Sequence, residues 1–524
     1  MNSFTKLAVI ICVLVLLLPV FYMLASSFGG IDIPFITEVI SNNRHWILLG
    51  NTAFIAFFTT LASMLIGVTI AVIISRFKIP LARTMEYLLI LPILIPSYFM
   101  AISWVYLIGV NGLITNYLKN IFETPWMPFS IYGKLGAVFI LTLSYFPLVA
   151  LMTLSGLRNI DFSLEKTAWL TASRWRAFFR VTLPLVMPYI IGSGILVFIL
   201  AVNNFDVPAI LLTDVFPLEI FYQFSVFFRT DRAMMFALPL AAASIGAILL
   251  WYAVFKRRPL FTVGTGWKQP AKIELGTLAK LVASGFIVLM LIMAVFLPLA
   301  GLISNLDSFN TIITTLQLVS DQLLNSLTAA AIATLAALAI GITAAYIMEQ
   351  PGSKIKWFLI ILMALPLVMP GSALGIGLIK MYNTGALMFI YKSIWIIILG
   401  LTARYMIIPT LILNSSVKMI DPSLENAARV SGAPWHRIWL KIMIPLNKKA
   451  IIISTIIYFI LALNELSVTI LVAPPGFNTL SIRIYSLYHF NKNAEVSAMC
   501  LIMAFIVILL YAVLASVIFK DKNE

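Results

Sequence analysis

Apolar runs of roughly 20 residues recur along the whole chain, separated by short basic or polar stretches. That recurrence limits the possible folds. Hydrocarbon offers no water to satisfy backbone N–H and C=O groups, so such runs must be helices that close their hydrogen bonds internally. About twelve spans of this length fit. They lie near Leu7–Ser26, Thr52–Ile74, Tyr87–Ile108, Leu135–Leu157, Met187–Val207 and Phe236–Phe255, then Leu281–Ile303, Ser326–Ile347, Trp357–Ile379, Ile394–Leu413, Ile451–Val472 and Val496–Ile518. The expected fold is an all-α polytopic membrane protein. With 62% hydrophobic and only 10% charged residues, the chain has too little polar surface for a water-soluble fold of its 524 residues. Its lipid partner is the bilayer.

The formal net charge of +15 would suggest nucleic acid in a soluble protein. Here the basic residues sit between apolar runs and read as topology signals, so no nucleic-acid partner is expected. Most of the 35 Lys and Arg fall on one side if both termini are cytoplasmic. The expected arrangement is therefore multi-pass, with both termini inside. Lys6 and the small residues Ala25–Ser27 also allow a cleaved signal peptide at the first run. Its length fits an uncleaved span better.

The chemistry-bearing residues are few. Cys12 and Cys500 lie in apolar segments, and His45, His436 and His489 are scattered. Metal-site, nucleophile-elbow and phosphate-loop patterns are absent from the sequence, so neither a cofactor nor a metal site nor enzymatic chemistry is expected.

The chain also repeats itself. Asn51–Thr52 returns as Asn325–Ser326, and Leu91–Pro92 with Pro96 returns as Leu365–Pro366 with Pro370, both at an offset of 274. Asp161, Leu164, Glu165, Ala168 and Trp175 return as Asp421, Leu424, Glu425, Ala428 and Trp435 at an offset of 260, and Asn203 as Asn464. Two parallel six-helix halves follow: residues 1–258 and 281–524, with a Pro-, Gly- and Lys/Arg-rich cytoplasmic linker over 259–280.

Two long cytoplasmic loops carry the most information. In the second, Asp421 suits an N-cap and Pro422 the first helical position. Leu424, Ala427 and Ala428 are expected on one face of a short helix. Gly432 is expected to leave the helix at positive φ, followed by Pro434 and a second helix, with Pro445 marking entry into the next span. Small alanines would let a partner surface come close.

This loop resembles the EAA loop of ABC importer permeases, in which EAA is followed by three residues, Gly, nine residues and Ile-x-Leu-Pro. The matching positions are Asn426-Ala427-Ala428, Gly432, Ile442, Ile444 and Pro445. Asn stands where the family has Glu, although Glu425 precedes it. The first-half copy departs further, with Lys166-Thr167-Ala168 at the EAA position and Ala172 in place of Gly. The resemblance implies a type I ABC importer permease with both halves fused, a transport subunit whose ATP hydrolysis belongs to a separate chain. It implies two ATPase subunits docked at coupling loops that include Glu165, Ala168 and Ala172 in one half and Glu425, Ala427, Ala428 and Gly432 in the other. It further implies an extracytoplasmic solute-binding protein and a bacterial or archaeal cell (inner) membrane as the location. The segment Pro474–Tyr485 is similar to segments of fused ferric-iron permeases, so ferric iron is the expected solute. Thiamine, phosphonate and polyamine importers of the same class are the alternatives.

Polar residues inside spans are candidates for the pathway. Asn203, Asn204 and Asp206 end the fifth run, and Asn464 and Glu465 lie in the eleventh. They read either as lining a translocation path or as capping helix ends. Arg404 in the tenth run is a candidate partner for Glu465. Asp206 and Glu465 would also be the coupling groups of an ion-driven secondary transporter, a reading that leaves the paired loops unexplained.

Overall fold

The computed structural model describes residues 3–29, 37, 41–123, 130–160, 167, 169–170, 173–255, 272–350 and 355–519. They are helical almost throughout, and the described β contact is a single parallel bridge, Phe77 with Ile273. The long helices of the first half are α1 (Ser3–Gly29), α2 (Asn43–Arg76), α3 (Ser97–Ile108), α4 (Lys134–Arg158), α5 (Leu183–Val202) and α6 (Thr230–Phe255). Those of the second half begin with α7 (Thr277–Ile303), α8 (Ser320–Met348), α9 (Lys356–Val368) and α10 (Gly371–Tyr382). They continue with α11 (Trp395–Tyr405), α12 (Ile407–Val417), α13 (Pro422–Val430), α14 (Lys448–Leu463), α15 (Leu480–His489) and α16 (Asn493–Phe519). Among the described residues, 8 helices are long and apolar enough to cross a membrane, or up to 11 when each bent pair counts as one span.

The third and ninth runs, each placed as one span, are interrupted. Ile95 and Met369, each directly before a proline, take extended backbone, so the helices end at Leu94 and Val368 and restart at Ser97 and Gly371. The proline ring disfavours a helical residue before it. The resulting bend between α9 and α10 is 99°. The tenth run is also split, at Met406 between α11 and α12.

Three π turns obey one rule. Phe178–Thr182, Ile292–Phe296 and Trp439–Met443 each end two residues before a proline: Pro184, Pro298 and Pro445. The residue between donates its N–H five positions back, Leu183 to Phe178, Leu297 to Ile292 and Ile444 to Trp439. A proline inside a helix has no N–H and crowds the preceding turn, and the widened turn absorbs that misfit.

The chain divides into two compact units that do not follow the sequence halves. One comprises residues 37–218 and 239–305, the other 1–36, 219–238 and 306–524. In the first unit α2 runs along α4, and α5 packs on both. In the second α8 holds the equivalent place, packed against α11, α12 and α14. Small residues permit these approaches. A Cβ at Gly67 would lie 2.7 Å from the Phe146 carbonyl of α4, and one at the matching Gly341 would lie 3.2 Å from the Thr410 nitrogen of α12. With no hydrophobic drive between helices in lipid, such close backbone packing is a main source of association. The first helix of each half sits in the unit dominated by the other half. Thus α1 lies against α10 where Gly377 meets Pro19, and the end of α7 lies against α3 where Gly301 meets Ser103.

Candidate functional site

The loop from Asp421 to Pro434 folds as its sequence directs. Asp421 is the N-cap of α13, its Oδ1 accepting the Ser423 N–H at 2.8 Å. The bonds from Ser423 hold the Asp421 carboxyl below its ordinary range. At the other end Gly432 has φ +76°. The Gly432 N–H reaches the Arg429 carbonyl and the Ala433 N–H reaches the Ala428 carbonyl, both at 3.0 Å. This is a Schellman closure, for which glycine at that position is the preferred residue.

The expected shared face of Leu424, Ala427 and Ala428 is split. Ala428 turns inward, packing with Ala433 against a core of Ala345, Tyr346, Leu413, Val417, Ile438 and Trp439. Ala427, Asn426 and Leu424 are exposed, and Val430 is 90% exposed. The inward stripe is set by Glu425 together with Ala428. The Tyr346 hydroxyl at the end of α8 donates to Glu425 Oε1. Arg429 Nη2 donates to the same oxygen at 2.5 Å and to the Tyr346 Oη at 3.3 Å. Both partners push the Arg429 guanidinium further up. The Tyr346 ring meets Trp439, the first residue of the π turn, edge to face at 5.1 Å. Sequence reasoning missed Tyr346 and Arg429. The available signals were an i, i+4 acid–base pair on α13 and a tyrosine near the end of an otherwise apolar helix. Glu165, Lys166, Ala168 and Ala172 of the first-half loop lie outside the described residues, so that copy is read from sequence alone.

Asn204 and Glu465, at matched places in the spans, accept backbone N–H groups of the turns that follow them. Glu465 is buried and accepts the Val468 and Thr469 N–H groups at 2.7 and 2.9 Å. Arg404 Nε lies 3.7 Å from Glu465 Oε1, the expected pair. Arg404 also reaches the Met369 carbonyl at the helix break. A Cβ at Gly371 would come within 2.9 Å of Arg404 Nη1, so the glycine makes room for the guanidinium. In the first half Asn204 Oδ1 accepts the Val207 N–H at 3.1 Å, the same service that Glu465 performs. Asn204 Nδ2 donates to Ser97 Oγ, and that hydroxyl donates to Asp206 Oδ2 at 3.3 Å. Asn203 Nδ2 reaches the Ile199 carbonyl and Ser244 Oγ. Asn203 and Asn464 are the C-caps of α5 and α14.

The repeated Asn-Thr and Asn-Ser pairs serve one purpose. Thr52 Oγ1 accepts the Phe216 N–H, the first of the helix Phe216–Ser225, at 2.9 Å. Ser326 Oγ accepts the Leu480 N–H, the first of α15, at 2.7 Å. Asn51 donates to the Asp214 carbonyl and Asn325 to those of Gly476 and Asn478. Among the described residues no three His, Cys, Asp or Glu are placed to hold a metal ion.

Comparison with known proteins adds three findings. The family described as "Binding-protein-dependent transport system inner membrane component" matches the chain twice, over residues 63–258 and 337–521. The second match begins where the repeat offset puts it. The ferric transport system permease protein FbpB of Actinobacillus pleuropneumoniae is 24% identical over 509 residues, 90% of this chain and 70% of the relative. A protein named as a 2-aminoethylphosphonate transport system permease, PhnV, of Salmonella typhi is 30% identical over 194 residues, 36% of this chain but 72% of the relative. The longer relative is matched by both halves, the shorter by a stretch the size of one.

Proposed function

Since the chain belongs to the inner membrane components of binding-protein-dependent transport systems, we propose that it supplies both membrane halves of one ABC importer and is served by two ATPase subunits. It is a transport subunit, and the family works with a solute-binding protein and a separate ATPase. Residues 1–258 and 281–524 are the two permease halves and 259–280 the cytoplasmic linker. Both termini lie on the ATPase side, where most Lys and Arg collect.

The observation that carries the reading is the turn at Gly432. It closes α13 and presents Ala427, Asn426 and Val430 to solvent while Glu425 and Ala428 hold the helix to α8. A partner that grips the exposed face therefore pulls on a membrane helix, as an ATPase that closes on ATP must. Glu425, Ala427, Ala428 and Gly432 form this coupling element, and Glu165, Ala168 and Ala172 are its first-half counterparts. Asn203, Asn204, Asp206, Arg404, Asn464 and Glu465 frame the solute path by fixing the helix ends that border it.

The solute is ferric iron, delivered by the binding protein. The support is the length over which the chain resembles a ferric permease, 90% of its residues. A phosphonate is the second reading, favoured by the higher identity to PhnV over a shorter stretch. Cells carrying the permease with its binding protein and ATPase should take up radioactive ferric iron in an ATP-dependent way. Uptake of 2-aminoethylphosphonate without iron uptake would replace the first solute by the second.

A further inference from the structure

We infer that the Tyr346 hydroxyl is a positioning group for energy coupling. It latches α13 to the end of α8, so that motion of the coupling helix is delivered to α8, and it does so in the second half alone. The inference rests on the coupling-loop reading above and adds to it a route and an asymmetry.

Four observations converge on the route. Tyr346 donates to Glu425 and accepts from Arg429, while the three bonds of the Arg429 guanidinium end on Glu425 Oε1 or on the Tyr346 oxygen. The three groups thus form a closed ring between two helices, two of them ionic, and hydrogen bonds to charged groups are the stronger kind. The ring lies over an apolar seat in which Ala428 and Ala433 contact the same core as Tyr346 and Trp439. Trp439 opens the π turn at the far end of the loop, so Tyr346 touches the loop on both sides of the Gly432 turn. Finally, α8 runs unbroken for 29 residues, and the stretch from Tyr346 to Ser326, whose hydroxyl caps α15, spans roughly 30 Å at 1.5 Å per residue. A rigid helix fixed at one end to α13 and at the other to α15 transmits a displacement along its length.

The asymmetry follows from the repeat. At the repeat offsets Val72 occupies the position of Tyr346, and Trp169 that of Arg429. Neither can build the ring, although Glu165 repeats Glu425.

The test has two arms on the full chain in nanodiscs. Hydrogen exchange on the permease without ATPase reads the latch directly. Tyr346→Phe should speed exchange across 422–433 by about 10-fold, the loss of one bond to a charged group, and leave 448–463 unchanged. Val72→Thr should change nothing. The second arm reads transmission in the complex with its ATPases. Asp321→Cys, in the exposed first turn of α8, is labelled with a membrane-impermeant maleimide before and after trapping with ATP and vanadate. The labelling rate should change on trapping in the otherwise native chain. With Tyr346→Phe it should not change, although the ATPase still co-purifies and still traps nucleotide. Wild-type exchange in Tyr346→Phe, or a labelling response equal to wild type or absent from both, overturns the inference. Failure of any ATPase to co-purify overturns the coupling-loop reading instead, and leaves the exchange arm to judge the latch by itself.

Discussion

The fifth helix of the first half and its counterpart in the second, α5 and α14, end with the same backbone need and meet it with different charge. Asn204 accepts one N–H of the following turn through a neutral amide, backed by Ser97 and Asp206. Glu465 accepts two N–H groups through a carboxylate, with Arg404 close by and Gly371 leaving the space for it. A duplicated frame thus tolerates changes of charge where the hydrogen-bond geometry is kept. It also makes the second cap dependent on its partner, because a buried charge is stable only when compensated.

The comparison breaks most readily at Glu465. Glu465→Leu should destabilise the detergent-solubilised protein by about 3–5 kcal/mol, since it strands the Arg404 guanidinium. Adding Arg404→Leu should recover much of that loss. Asn204→Leu should cost only about 1–2 kcal/mol, the loss of a neutral cap. Equal effects at 204 and 465 in thermal unfolding would contradict the assigned roles. A smaller effect sharpens the shared feature. Thr52→Val and Ser326→Ala each remove one acceptor from a helix start and should lower stability by about 1 kcal/mol apiece, alike in both halves.

The acid limb of ATPase binding gives a third comparison. The Asp421 carboxyl has a depressed pKa, so its cap is complete above the ordinary carboxylate range and is lost as pH falls through the folded value. Binding of the ATPase at the second loop should stay level from neutral pH to about 4 and weaken only below it, and Asp421→Asn should remove that dependence. The smallest effect belongs to Lys78 and Glu274. Their bond at 2.8 Å joins the chain just past α2 to the last part of the linker, beside the backbone bridge of Phe77 with Ile273, but both are exposed. Lys78→Gln should leave the unfolding midpoint unchanged, as surface ion pairs contribute little.

Much of this was legible in the residues. The spans followed from apolar run length, the duplication from offsets, and the α13 turn from Asp421, Pro422 and Gly432, because caps and positive φ are local demands with local residue solutions. The breaks before Pro96 and Pro370 needed knowledge of whether neighbours would let the helix continue, which the length of an apolar run does not carry. The Tyr346 latch was hidden because its partners lie 79 and 83 residues away. The exchange of α1 and α7 between compact units leaves no trace in periodicity, since a lipid-facing and a partner-facing apolar helix read alike. The inward turn of Ala428 was missed for a related reason: a nine-residue helix with alanines at adjacent positions does not reveal which one meets the core.

Docking at α13 is best judged by co-purification of the ATPase from solubilised membranes, comparing wild type with Val430→Asp and Gly432→Val. Val430 is 90% exposed, so a charge there should abolish or sharply reduce ATPase recovery while the permease stays folded. Gly432→Val, which forces a branched residue to φ +76°, should do the same by unmaking the turn. Full recovery of the ATPase with both variants would contradict the assignment of this loop as the coupling element.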